Sequence, residues 1–149
     1  MSELKLPDAW MQTHIDDYLR TDGAVGHLMD FSAYGGAAKT MNLLLTTIGR
    51  KSGKAFALPL IYVADGDRFV VVGSKGGADE HPAWYLNLQA QPEVKVQVLA
   101  RRFSARAYTA SGEERQRLWK LVCDMNPLYP LYQSKTTREL PVVVLEPKE

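Results

Sequence analysis

The chain has one cysteine in 149 residues, a formal net charge of only +1 and no long apolar run. A single thiol, Cys123, cannot form an internal disulfide, which excludes a disulfide-stabilised secreted fold, and we expect this thiol to be a small buried hydrophobe. Nucleic-acid-binding domains are usually strongly basic, so the near-neutral charge argues against that class. A membrane-spanning helix needs about 18 or more apolar residues in succession, and none occurs. The start of the chain lacks a signal-peptide pattern, so we expect a cytoplasmic protein.

Several motifs of known chemistry are missing as well. His14, His27 and His81 lie far apart without the spacing of a metal site, and we therefore predict no metal. No G-x-S-x-G hydrolase motif and no G-x-G-x-x-G dinucleotide motif occurs. Residues 49–54 are rich in glycine and lysine, but their glycine spacing is too short for a Walker loop. These absences exclude the common hydrolases and nucleotide-binding enzymes.

The hydrophobic pattern predicts one folded unit of mixed secondary structure. Hydrophobic residues make up 46% of the chain, close to the average of globular proteins. Helical periodicity or capping signals predict three helices, which are residues 8–20, 83–90 and a segment opened by a capping box at Ser111 to Glu114. Alternation and apolar runs predict about six strands, which are 41–48, 56–63, 69–72, 94–98, 103–108 and 141–145. Because hairpin turns connect several of them, we predict an α+β fold, an antiparallel barrel of about six strands with peripheral helices.

The glycine-rich run 23–36 separates the first predicted helix from the first predicted strand. We predict that it is a mobile connection, so that residues 1–35 form an N-terminal helix and connection and residues 36–149 form the binding domain. The N-terminal helix is amphipathic enough to leave peripheral contact with the inner face of a membrane open as an alternative.

Positive charge is concentrated beside glycines, which suggests a site for an anion. Residues 49–54 hold three positive charges and no negative one, and Lys75 lies beside Gly76 and Gly77 directly after an apolar strand. Glycine lets backbone N–H groups approach a ligand closely, and lysine or arginine beside them suits phosphate or carboxylate. Such a run is also common on a solvated surface, and Trp84 could simply anchor its helix to the sheet. The residues alone leave both interpretations open.

Two tyrosines near the C-terminus are candidates for contact with a substrate. Tyr129 and Tyr132 lie three residues apart beside Pro127 and Pro130, in a loop or short helix. Phenols in such a place can stack on a ring or donate a proton. They can equally cover the end of the barrel, and the sequence does not decide between the two.

Taken together, these segments resemble the deazaflavin-dependent nitroreductase family of actinobacteria. The similarity runs in fixed order through residues 18–23, 26–27, 43–53, 59–62, 74–78, 81–88 and 136–147. The resemblance implies a split β-barrel of the kind that also binds FMN. It further implies the deazaflavin coenzyme F420, whose tail carries a phosphate and a polyglutamate chain, and an F420-dependent oxidoreductase that transfers a hydride to an electron-poor acceptor such as a quinone, enone or nitro compound.

The resemblance also assigns site residues. It implies that the phosphate and tail meet the four residues Arg50, Lys51, Ser52 and Lys75. It implies that the rings and their linker meet Pro59, Leu60, Tyr62, Gly76, Gly77, Pro82, Trp84 and Asn87. The acceptor needs a proton or a hydrogen-bond donor, and the candidates for this catalytic role are Ser74, Tyr129 and Tyr132.

Two positions depart from the family pattern. Phe56 stands where members often carry a further arginine, and Asn126 stands where some nitroreductases have the first of three tyrosines. The resemblance therefore extends to cofactor binding and quinone reduction, but not to activity on bulky nitroimidazoles. Two alternatives stay open, a non-catalytic F420 carrier or storage protein and an FMN-dependent split-barrel reductase. The oligomeric state is open too.

Overall fold

The computed structural model describes residues 8–148 of the chain. The four α-helices within these residues are α1 (Asp8–Thr21), α2 (Ala83–Ala90), α3 (Gly112–Met125) and α4 (Leu128–Ser134). The seven β-strands within them are β1 (Leu28–Met29), β2 (Thr40–Ile48), β3 (Ala55–Asp65), β4 (Arg68–Val72), β5 (Glu93–Val98), β6 (Arg101–Thr109) and β7 (Val142–Pro147). Along the chain they follow in the order α1, β1–β4, α2, β5–β6, α3–α4 and β7.

The six longer strands close into an antiparallel barrel. Neighbouring strands follow the order β2-β3-β4-β7-β6-β5, and β5 pairs again with β2 through Leu44 opposite Gln97 and Leu45 opposite Val96. The two-residue strand β1 adds to the other half of β2, with Leu28 opposite Met41. Closure removes the open edges that an antiparallel sheet would otherwise expose. The predicted α+β barrel of about six strands is confirmed.

Strands β4 and β7 are buried on both faces because the barrel has an inside and a helix-covered outside. Phe69, Val71, Val143 and Leu145 point into the barrel interior. The alternate residues of the same strands, Val70, Val72, Val142 and Val144, point outward and pack against helices α3 and α4. Leu118 and Val122 of α3 belong to the same cluster. A strand that is covered on both sides has a continuous apolar sequence. For this reason these two segments show no alternation of apolar and polar residues.

The structure adds detail to one local prediction and corrects another. The run 23–36, predicted to be a mobile connection, contains β1 and a turn of 3-10 helix at Ser32–Tyr34. Ser111 has the extended backbone of an N-cap but makes no side-chain capping bond. Glu114, its predicted partner in the capping box, instead accepts hydrogen bonds from Arg68 and Tyr108 on the barrel. The division of the chain at residue 35 stays a prediction, and residues 1–7 of its first part lie outside the described residues.

Pro127 and Pro130 have different positions relative to helices α3 and α4. Helix α3 ends at Met125 before Pro127, as predicted. Pro130, which was expected to act with Pro127 as a stop, lies inside the first turn of α4. Proline is tolerated there because the first N–H groups of a helix have no intrahelical partner. The tyrosine segment is therefore the short helix α4.

Candidate active site

The first cationic turn joins β2 to β3 and is held by its own backbone. The N–H of Gly49 donates to the Lys54 carbonyl at 2.7 Å, and the N–H of Gly53 donates to the Gly49 carbonyl at 2.9 Å. A Cβ atom on Gly49 would lie only 2.6 Å from Ser52 Oγ, so the Ser52 side chain would have to move to admit a side chain at this position. The turn exposes Arg50, Lys51 and Ser52 to solvent. We call residues 49–54 the basic turn.

Helix α2 fixes the arginine of the basic turn. The buried Asn87 accepts two hydrogen bonds at Oδ1, from the Arg50 backbone N–H at 3.2 Å and from Arg50 Nη1 at 2.9 Å. Its Nδ2 donates to Thr47 Oγ1 at 3.3 Å. The side chain of Asn87 thus orients Arg50, a role that the resemblance did not assign to it.

The second cationic turn, residues 74–77, has an unusual backbone. Ser74 is right-handed helical, whereas Lys75, Gly76 and Gly77 all have positive φ, at 45°, 64° and 85°. A right-handed residue followed by a left-handed one aims successive N–H groups at one point, which is the backbone pattern of an anion-binding nest. Positive φ is costly for a lysine and is found mainly where a function requires it. We call this segment the nest turn.

Two cavities open between these turns and meet at Trp84. The basic cavity has a volume of about 500 Å³ and is lined by the basic turn, Phe56, Leu58, Trp84 and Asn87. The aromatic cavity has a volume of about 310 Å³ and lies between the nest turn, β3, α1 and α4. Trp84 lines both cavities, so the cationic one and the aromatic one adjoin at this residue.

Helix α4 supplies the hydroxyl groups of the aromatic cavity. Tyr129 and Tyr132 are one turn apart, are buried at 5% and 7% exposure, and line the cavity together with Ser74. Burial raises the pKa of the Tyr129 hydroxyl well above its usual value. A phenol that keeps its proton in this way is suited to donate a hydrogen bond to a developing negative charge.

Most of the predicted site residues border one of the two cavities. Those that do are Arg50, Lys51, Ser52, Pro59, Leu60, Ser74, Lys75, Gly76, Pro82, Trp84, Asn87, Tyr129 and Tyr132. Their individual roles remain predictions.

Tyr62 and Gly77 border neither cavity. The side chain of Tyr62 lies in the barrel interior, 5% exposed, with its hydroxyl 2.9 Å from His27 Nε2 and its ring packed edge-on against Phe69. Gly77 is covered by α4, and a Cβ atom there would lie 2.6 Å from the Tyr132 carbonyl oxygen. The absence of a side chain at Gly77 serves close packing of the nest turn on α4.

The model of one family matches residues 10–147, from the first described helix to the end of the last strand, and its description is F420H(2)-dependent quinone reductase. The chain belongs to this family. Membership confirms the deazaflavin-type resemblance, and with it an F420-dependent oxidoreductase as the class of enzyme and F420 as its cofactor.

Related proteins agree with this family. An F420H(2)-dependent quinone reductase of Mycobacterium tuberculosis is 38% identical over 138 residues, which cover 91% of this chain and 88% of that protein. The structure of an F420-H2 dependent reductase is 42% identical, with a TM-score of 0.66, covering 70% of this chain and 93% of its own. Another solved structure, described as a domain-swapped dimer, is 36% identical with a TM-score of 0.68 and covers 95% of this chain and 100% of its own.

The described residues of this quinone reductase family member fit a deazaflavin with an anionic tail. The basic turn and the nest turn supply cations and backbone donors for phosphate and carboxylate groups, and the walls around Trp84 suit a flat ring. When bound, F420 supplies the hydride chemistry, while the protein supplies binding and orientation. Within residues 8–148, no helix is both long and apolar enough to cross a bilayer.

Sequence reasoning missed the contribution of α1 to the aromatic cavity. Trp10, Met11 and His14 line it, and the Trp10 ring packs edge-on against the His14 ring at 5.2 Å between centroids. The His14 Nε2 atom lies 2.8 Å from the Gly26 carbonyl oxygen. Trp10 and His14 are four residues apart on one helix face, a spacing that shows they are neighbours but not what they face.

Proposed function

We propose that this chain reduces quinones with a hydride from reduced F420, using the two adjoining cavities for the two partners. One observation supports this arrangement above all: a cationic end and a hydroxyl-lined end meet at a single tryptophan, Trp84. The anionic tail would be held by Arg50, Lys51 and Ser52 of the basic turn and by Lys75 of the nest turn. The rings would be held by the wall of Pro59, Leu60, Gly76, Pro82 and Trp84.

The acceptor would lie against the tyrosines of α4. Reduction of a quinone develops negative charge on its oxygen, and a positioned donor stabilises that charge most where water is excluded. Ser74, Tyr129 and Tyr132 line the aromatic cavity, and their hydroxyls would supply such donors. Because burial raises the pKa of Tyr129, this hydroxyl keeps its proton and acts as a hydrogen-bond donor, while the proton that completes the reaction comes from solvent.

The activity is tested with the purified full chain. Oxidised F420 and FMN are titrated in parallel, and reduced F420 is then mixed with menadione. We expect submicromolar F420 binding, weak FMN binding and menadione-dependent oxidation of the cofactor. Tight F420 binding without turnover on several quinones would favour the carrier or storage function. Preference for FMN would contradict the assignment of the site residues.

We also propose that the protein works in the cytoplasm and makes peripheral contact with a membrane surface, where lipid-soluble quinones are held. In support, Leu19, Val25 and Leu28 are about half exposed, at 47%, 49% and 62%, and lie in the segment that runs from the last turn of α1 to the start of β1. Leu99, 42% exposed, packs beside Gly23 in the same region. Sedimentation with anionic phospholipid vesicles tests this, and the triple variant L19S/V25S/L28S should bind them less. If the wild type and the triple variant are recovered in the supernatant in equal amounts, the membrane contact is refuted.

A further inference from the structure

Arg138, between α4 and β7, makes an unusually complete set of hydrogen bonds to the nest turn. Its Nε donates to the Ala78 carbonyl at 2.7 Å, and its Nη2 donates to the Ser74 carbonyl at 2.9 Å. Its Nη1 lies 3.2 Å from both the Gly73 carbonyl oxygen and His81 Nδ1. One guanidinium therefore contacts the chain before, within and after the turn.

The direction of these bonds determines where the turn presents its donors. In a trans peptide, the carbonyl and the following N–H point in opposite directions. Arg138 holds the carbonyls of Gly73 and Ser74 on its own side, so the N–H groups of Ser74 and Lys75 point away from it. These N–H groups belong to the nest, and an anion bound there would be on the side opposite Arg138.

The turn requires such support because its backbone is strained. Lys75 has a φ of 45°, and a left-handed conformation is unfavourable for a residue with a side chain because its Cβ crowds the following carbonyl oxygen. Strained backbone persists only where surrounding contacts over-determine it. The hydrogen bonds from Arg138 are contacts of this kind.

Arg138 is itself fixed to the helix that carries the tyrosines. Gln133 of α4 donates from Nε2 to the Arg138 carbonyl at 2.7 Å and accepts from the Leu140 N–H at 2.9 Å. Nearby, Thr136 Oγ1 donates to Asp79 Oδ1 at 2.8 Å, beyond the other end of the nest turn. The backbone of Arg138 is thus fixed to α4, and the segment just before it is bonded to Asp79.

An arginine suits this position better than a lysine. The four partners are three carbonyl oxygens and one imidazole nitrogen, spread around a planar group. A guanidinium offers five donors in a rigid fork, whereas an ammonium is a compact point charge on a flexible stem. These partners are uncharged, so they do not neutralise the positive charge that Arg138 brings to the turn.

We propose that Arg138 is a positioning residue, which holds residues 74–77 in the nest conformation so that Lys75 and the backbone N–H groups meet the anionic part of F420. This inference rests on the proposed placement of the cofactor tail at Lys75. It adds a residue that does not itself touch the cofactor but determines how well the turn binds it.

A double-mutant cycle tests the proposal through the affinity for F420. Titrations compare the wild type, Arg138→Ala, Lys75→Ala and the double variant. We expect each single substitution to raise the Kd for F420 about tenfold, which corresponds to 1.4 kcal/mol. If Arg138 acts by positioning Lys75, the double variant should bind only slightly more weakly than the weaker single variant, because interacting residues are not additive.

Two further variants separate positioning from general stability. Arg138→Lys keeps the charge but loses the fork, and should give an intermediate Kd; it also serves if Arg138→Ala does not fold. The matched control is Arg68→Ala. Arg68 is a partly buried arginine at the β3–β4 hairpin, and its guanidinium is bonded to Tyr108 and Glu114. This control should lower the melting temperature and leave the Kd unchanged.

The outcomes are distinct. An unchanged Kd in folded Arg138→Ala would overturn the positioning role. A full tenfold effect of Arg138→Ala in the Lys75→Ala background would overturn the positioning of Lys75 by Arg138, and both outcomes would leave F420 binding intact. Failure of the wild type to bind F420 would overturn both this inference and the proposed function.

Discussion

At the scale of single residues, the aromatic cavity places hydroxyl groups where an acceptor oxygen can meet them. Tyr129 and Tyr132 are buried, lie one helical turn apart and line the cavity together with Ser74. Burial raises the pKa of Tyr129, so its proton is retained across the physiological pH range. The chemistry expected of this hydroxyl is therefore hydrogen bonding to the acceptor, and its removal should affect turnover more than cofactor binding.

Replacing these tyrosines tests that role. We expect Tyr129→Phe and Tyr132→Phe to lower kcat/KM for menadione about tenfold each, the loss expected for one hydrogen bond of about 1.4 kcal/mol. The Kd for F420 should stay the same. Tyr108→Phe is the matched control, because the Tyr108 hydroxyl bonds to Arg68 and Glu114 and borders neither cavity. Steady-state kinetics equal to those of the wild type would restrict both tyrosines to a packing role.

At the residue scale, the sequence indicates where charge is exposed but not where each strand side chain ends up. The exposed basic turn follows from glycine and lysine placement alone. Tyr62 was expected at the ring site, yet it lies in the barrel interior. Leu60 and Tyr62 are on the same face of β3, and two residues along a strand span roughly 7 Å. Alternation tells which residues share a face, but not the depth at which the cavity ends.

At the scale of elements, the nest turn and α4 pack backbone against backbone. Gly77 has a φ of 85°, and any Cβ atom there would lie 2.6 Å from the Tyr132 carbonyl oxygen. The helix that carries the tyrosines is therefore seated directly on the turn that carries Lys75. Changes at this contact should reach both cavities.

Gly77→Ala should therefore destabilise the protein by about 2–4 kcal/mol, from the positive φ and the clash together. It should also raise the KM for menadione, since α4 must move. Gly66→Ala is the control, because Gly66 also has positive φ (63°) but has open space around it. It should cost only about 1–2 kcal/mol and leave the KM unchanged. Urea unfolding and steady-state kinetics measure both quantities, and equal effects of the two variants would contradict the close packing.

Element boundaries were predicted well where local signals control them. Helix α2 spans Ala83–Ala90 between Pro82 and Pro92, as expected. The predicted β3–β4 hairpin is present, but its turn is Gly66 and Asp67, one residue after the predicted Asp65 and Gly66, because Asp65 still pairs with Arg68. The capping box failed because Glu114 is close to Arg68 and Tyr108 in the folded barrel, and these long-range partners compete with the local bond. A four-residue pattern contains no information about such partners.

At the scale of the whole molecule, two histidines link stability to pH. Burial lowers the pKa of His27, and burial together with the Arg138 guanidinium lowers the pKa of His81. His27 lies beside Tyr62 in the barrel, and His81 Nδ1 faces Arg138. The folded state therefore favours the neutral imidazoles, and the unfolded chain takes up protons first as the pH falls below about 6.5.

The free energy of unfolding should accordingly be steady above pH 7 and decrease as the pH falls from about 6.5 toward 5. His81→Asn keeps an acceptor for Arg138 without a titrating group, so the decrease should be smaller in this variant. Urea denaturation at a series of pH values measures both proteins. Identical pH profiles for the wild type and His81→Asn would show that His81 does not contribute to this dependence.

The sequence by itself determined the properties that depend on neighbours along the chain. Alternation and turn residues set the strands and hairpins, and the spacing of Gly49, Arg50 and Lys51 set a cationic turn. The order of the matching segments was sufficient to identify the family, its barrel and its cofactor.

Only the tertiary structure decided which distant segments meet. It brought β5 to β2 to close the barrel, placed Trp10 and His14 over the aromatic cavity, and joined Arg138 to the carbonyls around Lys75. These contacts connect residues dozens of positions apart, and their geometry depends on the packing of the whole barrel. Local propensities act over a few residues, so they cannot specify contacts between such distant segments.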